Sequence, residues 1–157
     1  MNQDHYSPHS REALTAITSA DGKLPALMMQ WRHRIPLTIA MSDTSTTLAQ
    51  LAAERCLPLK GREHAVPAAL AQAWLAALPG WSFGADHADI RKEFRFPDFV
   101  RALAFVNALG YVAERENHHP DLELGWGRVL VRFSTHDVGG LSRNDFVCAA
   151  KTETLLS

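Results

Sequence analysis

The apolar positions of this chain recur at two spacings, and the points where one gives way to the other mark out its elements. Val66-Pro67 opens a helix, because proline is favoured in a first turn where its missing N–H costs nothing. Leu70, Trp74, Ala77 and Leu78 recur at helical steps and form its apolar stripe, and Pro79-Gly80 stops it. Trp81-Ser-Phe-Gly reads as a short strand, with Ala85 to Ala88 as the connection to the next. In Ile90 to Phe96 the spacing is two. Ile90, Lys92, Phe94 and Phe96 share one face and Arg91, Glu93 and Arg95 the other, as in an antiparallel sheet with one wet side. After Pro97-Asp98 the spacing is helical again. Phe99, Leu103, Val106, Gly110 and Ala113 follow at steps of four and three, which predicts a helix from about Asp98 to Arg115. Asp121 to Trp126 is a third strand with Leu122, Leu124 and Trp126 on one face. Arg128 to Ser134 is a fourth, with Val129, Val131 and Phe133 inward. Gly139-Gly140 is a loop, and Ser142-Arg-Asn-Asp145 is a capping-box-like start to a last helix that runs to about Thr152.

The order is thus helix, two strands, helix, two strands, helix. Hairpins alternating with helices predict an α+β domain, a four-stranded antiparallel sheet with helices packed on one face. Upstream, Thr47 to Arg55 reads as a short helix and Leu57 to Glu63, with Pro58 and Gly61, as loop. Residues 1–47 are set apart as an N-terminal extension, since Pro25 and Pro36 interrupt what apolar runs there are. That extension is expected to be disordered, or to be a misassigned start with Met41 as the natural one. Asp4, Glu12 and Asp21 argue against a transit peptide. The domain proper is placed at 48–157.

Bulk properties narrow the choice of function. A chain of 157 residues has room for one domain with a real core. A formal net charge of −1 gives no electrostatic footprint for nucleic acid or an anionic membrane. No apolar run reaches the roughly 18 residues of a membrane helix, and no secretory signal opens the chain, so a cytoplasmic protein is expected. Cys56 and Cys148 have no partner at metal-ligand spacing and read as ordinary thiols in a reducing compartment.

The candidate chemistry lies between Ala113 and Asp145, where His118, His119, His136, Glu114 and Asp145 fall at the ends of predicted elements. On extended backbone His118 and His119 point to opposite faces, so they are poor joint ligands for one metal. Pro120 favours that extended conformation at His119. His136 follows the fourth strand and comes near the start of the third if the hairpin is regular, so His118 or His119 can meet it. Histidine titrates near pH 6.5, so two of them can deliver one proton and accept another. Plainer roles stand beside this reading. A histidine at a helix end caps carbonyls, Asp145 serves the Ser142 capping box, Glu114 is solvated, and Trp126 packs at a sheet edge. No zinc spacing, phosphate loop, dinucleotide fingerprint or nucleophile elbow is present.

The combination is more specific than its parts. Glu114-x-x-Asn117-His118-His119-Pro120, then Trp126, Thr135-His136 and Gly140-Leu141-Ser142 with Asp145, resembles the signature of the pterin-4a-carbinolamine dehydratases. Leu78-Pro-Gly-Trp81, Glu93-Phe-Arg-Phe96, Phe105-Val-Asn and Asp145-Phe extend the resemblance over about Leu48 to Lys151. It implies a lyase that removes water from a 4a-hydroxytetrahydropterin to give quinonoid dihydropterin, in the recycling of tetrahydrobiopterin for aromatic amino acid hydroxylation. It implies no metal and no organic cofactor, and a homodimer or homotetramer without membrane or direct nucleic-acid contacts. It places His118, His119 and His136 around the pterin as the catalytic set with Glu114; within that set we expect His118 and His136 to do the acid/base work, His119 mainly to bind, and Glu114 to orient a histidine. Asn117, Pro120, Trp126, Thr135 and Asp145 are the expected substrate contacts, with Asp145 holding His136 or its loop. Two alternatives stay open: a non-catalytic dimerisation cofactor for a transcription factor, and a related protein acting on another pterin.

Overall fold

The computed structural model describes residues 45–156, so the expectation for the N-terminal extension lies, over residues 1–44, outside the described residues. Helix α1 spans Leu48–Ala53, where the Thr47 hydroxyl and the Gln50 side chain cap one another's backbone N–H groups. Helix α2 spans Ala68–Leu75, strand β1 Ser82–Phe83 and strand β2 Ile90–Arg95. Helix α3 spans Phe99–Glu116, opened by the Asp98 carboxylate, which accepts the Arg101 N–H at 2.7 Å. Strands β3, Asp121–Gly125, and β4, Arg128–Phe133, form a hairpin, and α4, Arg143–Glu153, follows. The four strands make one antiparallel sheet in the order β1-β2-β4-β3.

The predicted α+β architecture is therefore the observed one, and register explains its two faces. Ile90 pairs with Phe133, and Phe94 with Val129, so the inward residues of β2 and β4 lie side by side, all at most 4% exposed. Phe105 of α3 lies 4.8 Å from Phe94, and Trp74 of α2 lies 5.3 Å from Phe146 of α4, centroid to centroid. Lys92 shares this inner face, and its ammonium is matched there by Glu153 at 2.8 Å and the Pro79 carbonyl at 2.8 Å. The opposite face carries ion pairs between neighbouring strands, Arg128 with Glu93 and Arg132 with Glu123.

Three expectations need correction. The buried stripe of α3 is Ala102, Phe105, Leu109, Ala113 and Glu116, which keeps the predicted Ala113 but otherwise runs one step away from the predicted one. Phe99 (44%) and Leu103 (39%) are exposed, because the face turned to the sheet is chosen partly by the small Ala102 and Ala113, which admit close approach. Trp126 is not on the inner face of β3. It sits in the two-residue turn closed by the Gly125–Arg128 pair and is 76% exposed. Gly127 beside it has φ +64°, and an added Cβ would come within 2.6 Å of the Phe96 carbonyl oxygen, so this turn requires glycine. Finally, β1 is two residues long rather than four, as Trp81 turns into the core against Phe133 at 5.9 Å.

Candidate active site

The long helix α3 ends where the chemistry begins. Asn117 takes the left-handed conformation (φ 50°), its N–H donates to Glu114 and Ala113, and the His118 N–H donates to the Ala113 carbonyl at 3.1 Å. Asparagine tolerates this geometry better than most residues, so Asn117 acts as the helix C-cap. Beyond the cap the two histidines part as expected, one buried and one exposed. His118 turns inward and is 8% exposed, with its ring 5.9 Å from that of Phe133 and nearly parallel. His119 turns outward, where its Nε2 lies 3.0 Å from the Glu114 carboxylate, both side chains largely exposed.

His118 meets Asp145. Its Nε2 lies 2.7 Å from Oδ1 of that carboxylate, which is fully buried. The other oxygen, Oδ2, accepts the Ser142 N–H at 2.7 Å and the Thr135 hydroxyl at 2.8 Å. Because Thr135 spends its one hydroxyl proton on Asp145, the Ser142 hydroxyl donates to Thr135 at 2.7 Å and in turn accepts the Asn144 N–H. A buried carboxylate with three donors is well compensated. The two readings of Asp145 thus coincide in one residue: Oδ2 closes the capping box of α4, and Oδ1 holds a histidine. That histidine is His118, while the tie to the loop carrying His136 runs through Thr135.

A cleft of about 320 Å³ opens beside this cluster. Thr135 and His136 line it, together with Arg91, Arg132 and Asp121, which are cross-strand partners in one row of the sheet. His136 is exposed at the start of a 3-10 turn, His136–Val138, held by the Thr135–Gly140 bridge. Thr135 therefore belongs both to the buried cluster and to the cleft wall. The two arginines were not anticipated as cleft residues, although the strand period already put Arg91 on the wet face. Asp89 hydrogen-bonds the Arg91 guanidinium at 2.6 and 2.8 Å and raises its pKa further.

Not every predicted residue joins this centre. Pro120 is half-buried between His119 and β3. Trp126 stands at the far end of β3 from the histidine pair, roughly 16 Å along a five-residue strand. No group of three or more His, Cys, Asp or Glu side chains among the described residues could hold a metal ion. Glu116 was also missed. It is 8% exposed and accepts from Arg55 at 2.9 Å and the Cys56 N–H at 3.0 Å, with Lys151 at 3.4 Å. Burial pushes its carboxyl up, but the Cys56 N–H, Lys151 and Arg55 outweigh it and hold it below the usual carboxylate range.

Comparisons with known proteins show the family. Residues 64–155 match the family model for pterin 4 alpha carbinolamine dehydratase. A protein of Xanthomonas oryzae pv. oryzae (strain PXO99A), provisionally named as a dehydratase of this kind, is 52% identical over 110 residues, covering 70% of this chain and 93% of that one. A similarly named protein of Stenotrophomonas maltophilia (strain K279a) is 50% identical over 108 residues, 69% of this chain and 93% of that one. The crystal structure of a transcriptional coactivator/pterin dehydratase from Brucella melitensis superposes with a TM-score of 0.57 at 28% identity, covering 59% of this chain and 98% of that one. The chain belongs to the pterin-4a-carbinolamine dehydratase family of hydro-lyases.

Proposed function

We propose that this chain dehydrates 4a-hydroxytetrahydropterin to quinonoid dihydropterin by histidine acid/base catalysis. The observation that carries the reading is the buried His118–Asp145–Thr135 chain abutting the cleft that His136 lines. In the reaction the C4a–O bond breaks and the hydroxyl leaves as water after receiving a proton. A second proton departs from the adjacent ring nitrogen, and its electron pair becomes the new C=N bond. One group must give a proton and another take one, with no electrons exchanged.

His118 and His136 do this work. Asp145 engages Nε2 of His118 and fixes its ring, so its exchange with substrate runs through Nδ1. His119 mainly binds, oriented by Glu114. Asn117 and Pro120 shape the backbone that presents the pair, and Thr135 aligns the substrate from the cleft wall. Trp126, remote from the histidines within one chain, reaches a pterin only across an assembly. A homodimer or homotetramer supplies that. The edge strand β3 and the exposed Val100 and Tyr111 of α3 are surfaces such an assembly would cover.

The pathway is the recycling of tetrahydropterin after aromatic amino acid hydroxylation. Adding the chain to a hydroxylase and a dihydropterin reductase at limiting tetrahydropterin should raise the steady rate of recycling. No rise at any concentration would remove this pathway role. The Brucella relative's description, which pairs coactivator with dehydratase, keeps a second reading in view: a dimerisation cofactor. Capture of a transcription-factor partner by a variant without turnover would favour it.

A further inference from the structure

Cys56 and Cys148 lie 92 residues apart in sequence, yet their sulfurs are 3.4 Å apart. They are the only cysteines in the chain. Cys148 sits in the middle of α4, 1% exposed, and Cys56 follows α1, half-buried. The backbone around Cys56 is clamped on both sides. Its N–H donates to Glu116, and the next residue, Leu57, exchanges two hydrogen bonds with Asn144, at 3.1 Å through its N–H and 2.8 Å through its carbonyl. The thiols are therefore held together by contacts that do not involve sulfur, and bonding them needs only a small closing movement towards the roughly 2 Å of a disulfide.

We propose that Cys56 and Cys148 form a reversible intramolecular disulfide when the protein meets a peroxide. The division of labour follows from burial. Cys148 is enclosed, and its hydrogen bond with Cys56 together with burial pushes its thiol well above the ordinary value, so it is a poor first nucleophile. Cys56 is the accessible one. Its sulfur attacks a peroxide oxygen and the O–O bond breaks. With hydrogen peroxide, the departing hydroxide takes the thiol proton and leaves as water, and Cys56 becomes a sulfenic acid. The Cys148 sulfur then attacks the Cys56 sulfur, the S–O bond breaks, and the second hydroxide leaves with the Cys148 proton as water. Two thiols and one peroxide give one disulfide and two waters. The bond would tie the segment after α1 to α4, one helical turn from Asp145 and 4.0 Å from the His118 carbonyl.

The test is chemical and independent of pterin turnover. The full chain is treated with one to a few equivalents of hydrogen peroxide, then denatured, alkylated and weighed. The expected result is a loss of two mass units, no alkylation at either cysteine, a cross-linked peptide pair, and full recovery with dithiothreitol. A Cys148→Ser variant should stop at a sulfenic acid on Cys56 that dimedone traps. A Cys56→Ser variant should leave Cys148 reduced under the same dose. The proposal is overturned if the wild-type chain accumulates sulfinic acid on Cys56, links between molecules, or keeps Cys148 alkylatable while Cys56 is oxidised.

Discussion

At the residue scale the centre of the molecule is Asp145, which completes the cap of α4 with one oxygen and holds His118 with the other. Its replacement by asparagine keeps the size but loses the carboxylate that engages His118, Thr135 and Ser142 at once. Asp145→Asn should lower kcat by about a hundredfold or more, the range of a positioned acid/base group, with little change in KM. It should also cost about 1–3 kcal/mol of stability, since one buried donor loses its partner. An Asp145→Asn protein with wild-type kcat would separate the buried pair from catalysis. The histidines and the aspartate were legible in sequence as types and spacings. Their pairing was not, because His118 and Asp145 are 27 residues apart and the capping box alone accounts for an acid three residues after Ser142.

At the element scale, the strand alternation of Ile90 to Phe96 and the return to helical spacing after Pro97 could be read directly, since each period is a property of the backbone. The rotation of α3 could not. Its sequence carries large apolar residues on two sides, and only the presence of the sheet decides which side is buried. Leu109 (1% exposed) is on the buried side and Leu103 on the other. Leu109→Ala should therefore cost about 2–5 kcal/mol and Leu103→Ala less than about 1 kcal/mol in denaturant unfolding of the monomeric unit. Equal costs would mean that the helix face assigned to the core is wrong. The Trp126 turn failed for a related reason. The hairpin closes at Gly125–Arg128, so alternation stops one residue earlier than the apolar pattern does.

For the whole molecule, the packing of distant segments creates groups that no local window reveals. Glu116 looks like any polar residue of a last helical turn, yet Arg55, 61 residues upstream, and Lys151 of α4 close over it. Its folded carboxyl titrates below the ordinary 4.5. The stabilisation it gives is then fully present above that value and disappears as pH falls through the lower folded one. Glu116→Gln should flatten the acid limb of a stability–pH profile. A limb of unchanged slope in this variant would show that other carboxylates carry the acid sensitivity. The same long-range closure places Cys56 against Cys148 and Thr135 between the buried cluster and the cleft.

We propose that His118, held by Asp145, and His136 on the cleft wall remove water from a 4a-hydroxytetrahydropterin. The most direct measurement is the ultraviolet decay of freshly generated 4a-hydroxytetrahydropterin near neutral pH, alone, with the wild-type chain, and with folded His118→Ala and His136→Ala variants. The account predicts that the wild type accelerates the decay and that each variant loses about 10²–10⁴-fold of that acceleration. Decay at the spontaneous rate with a folded wild-type chain, or full acceleration by both variants, would contradict it.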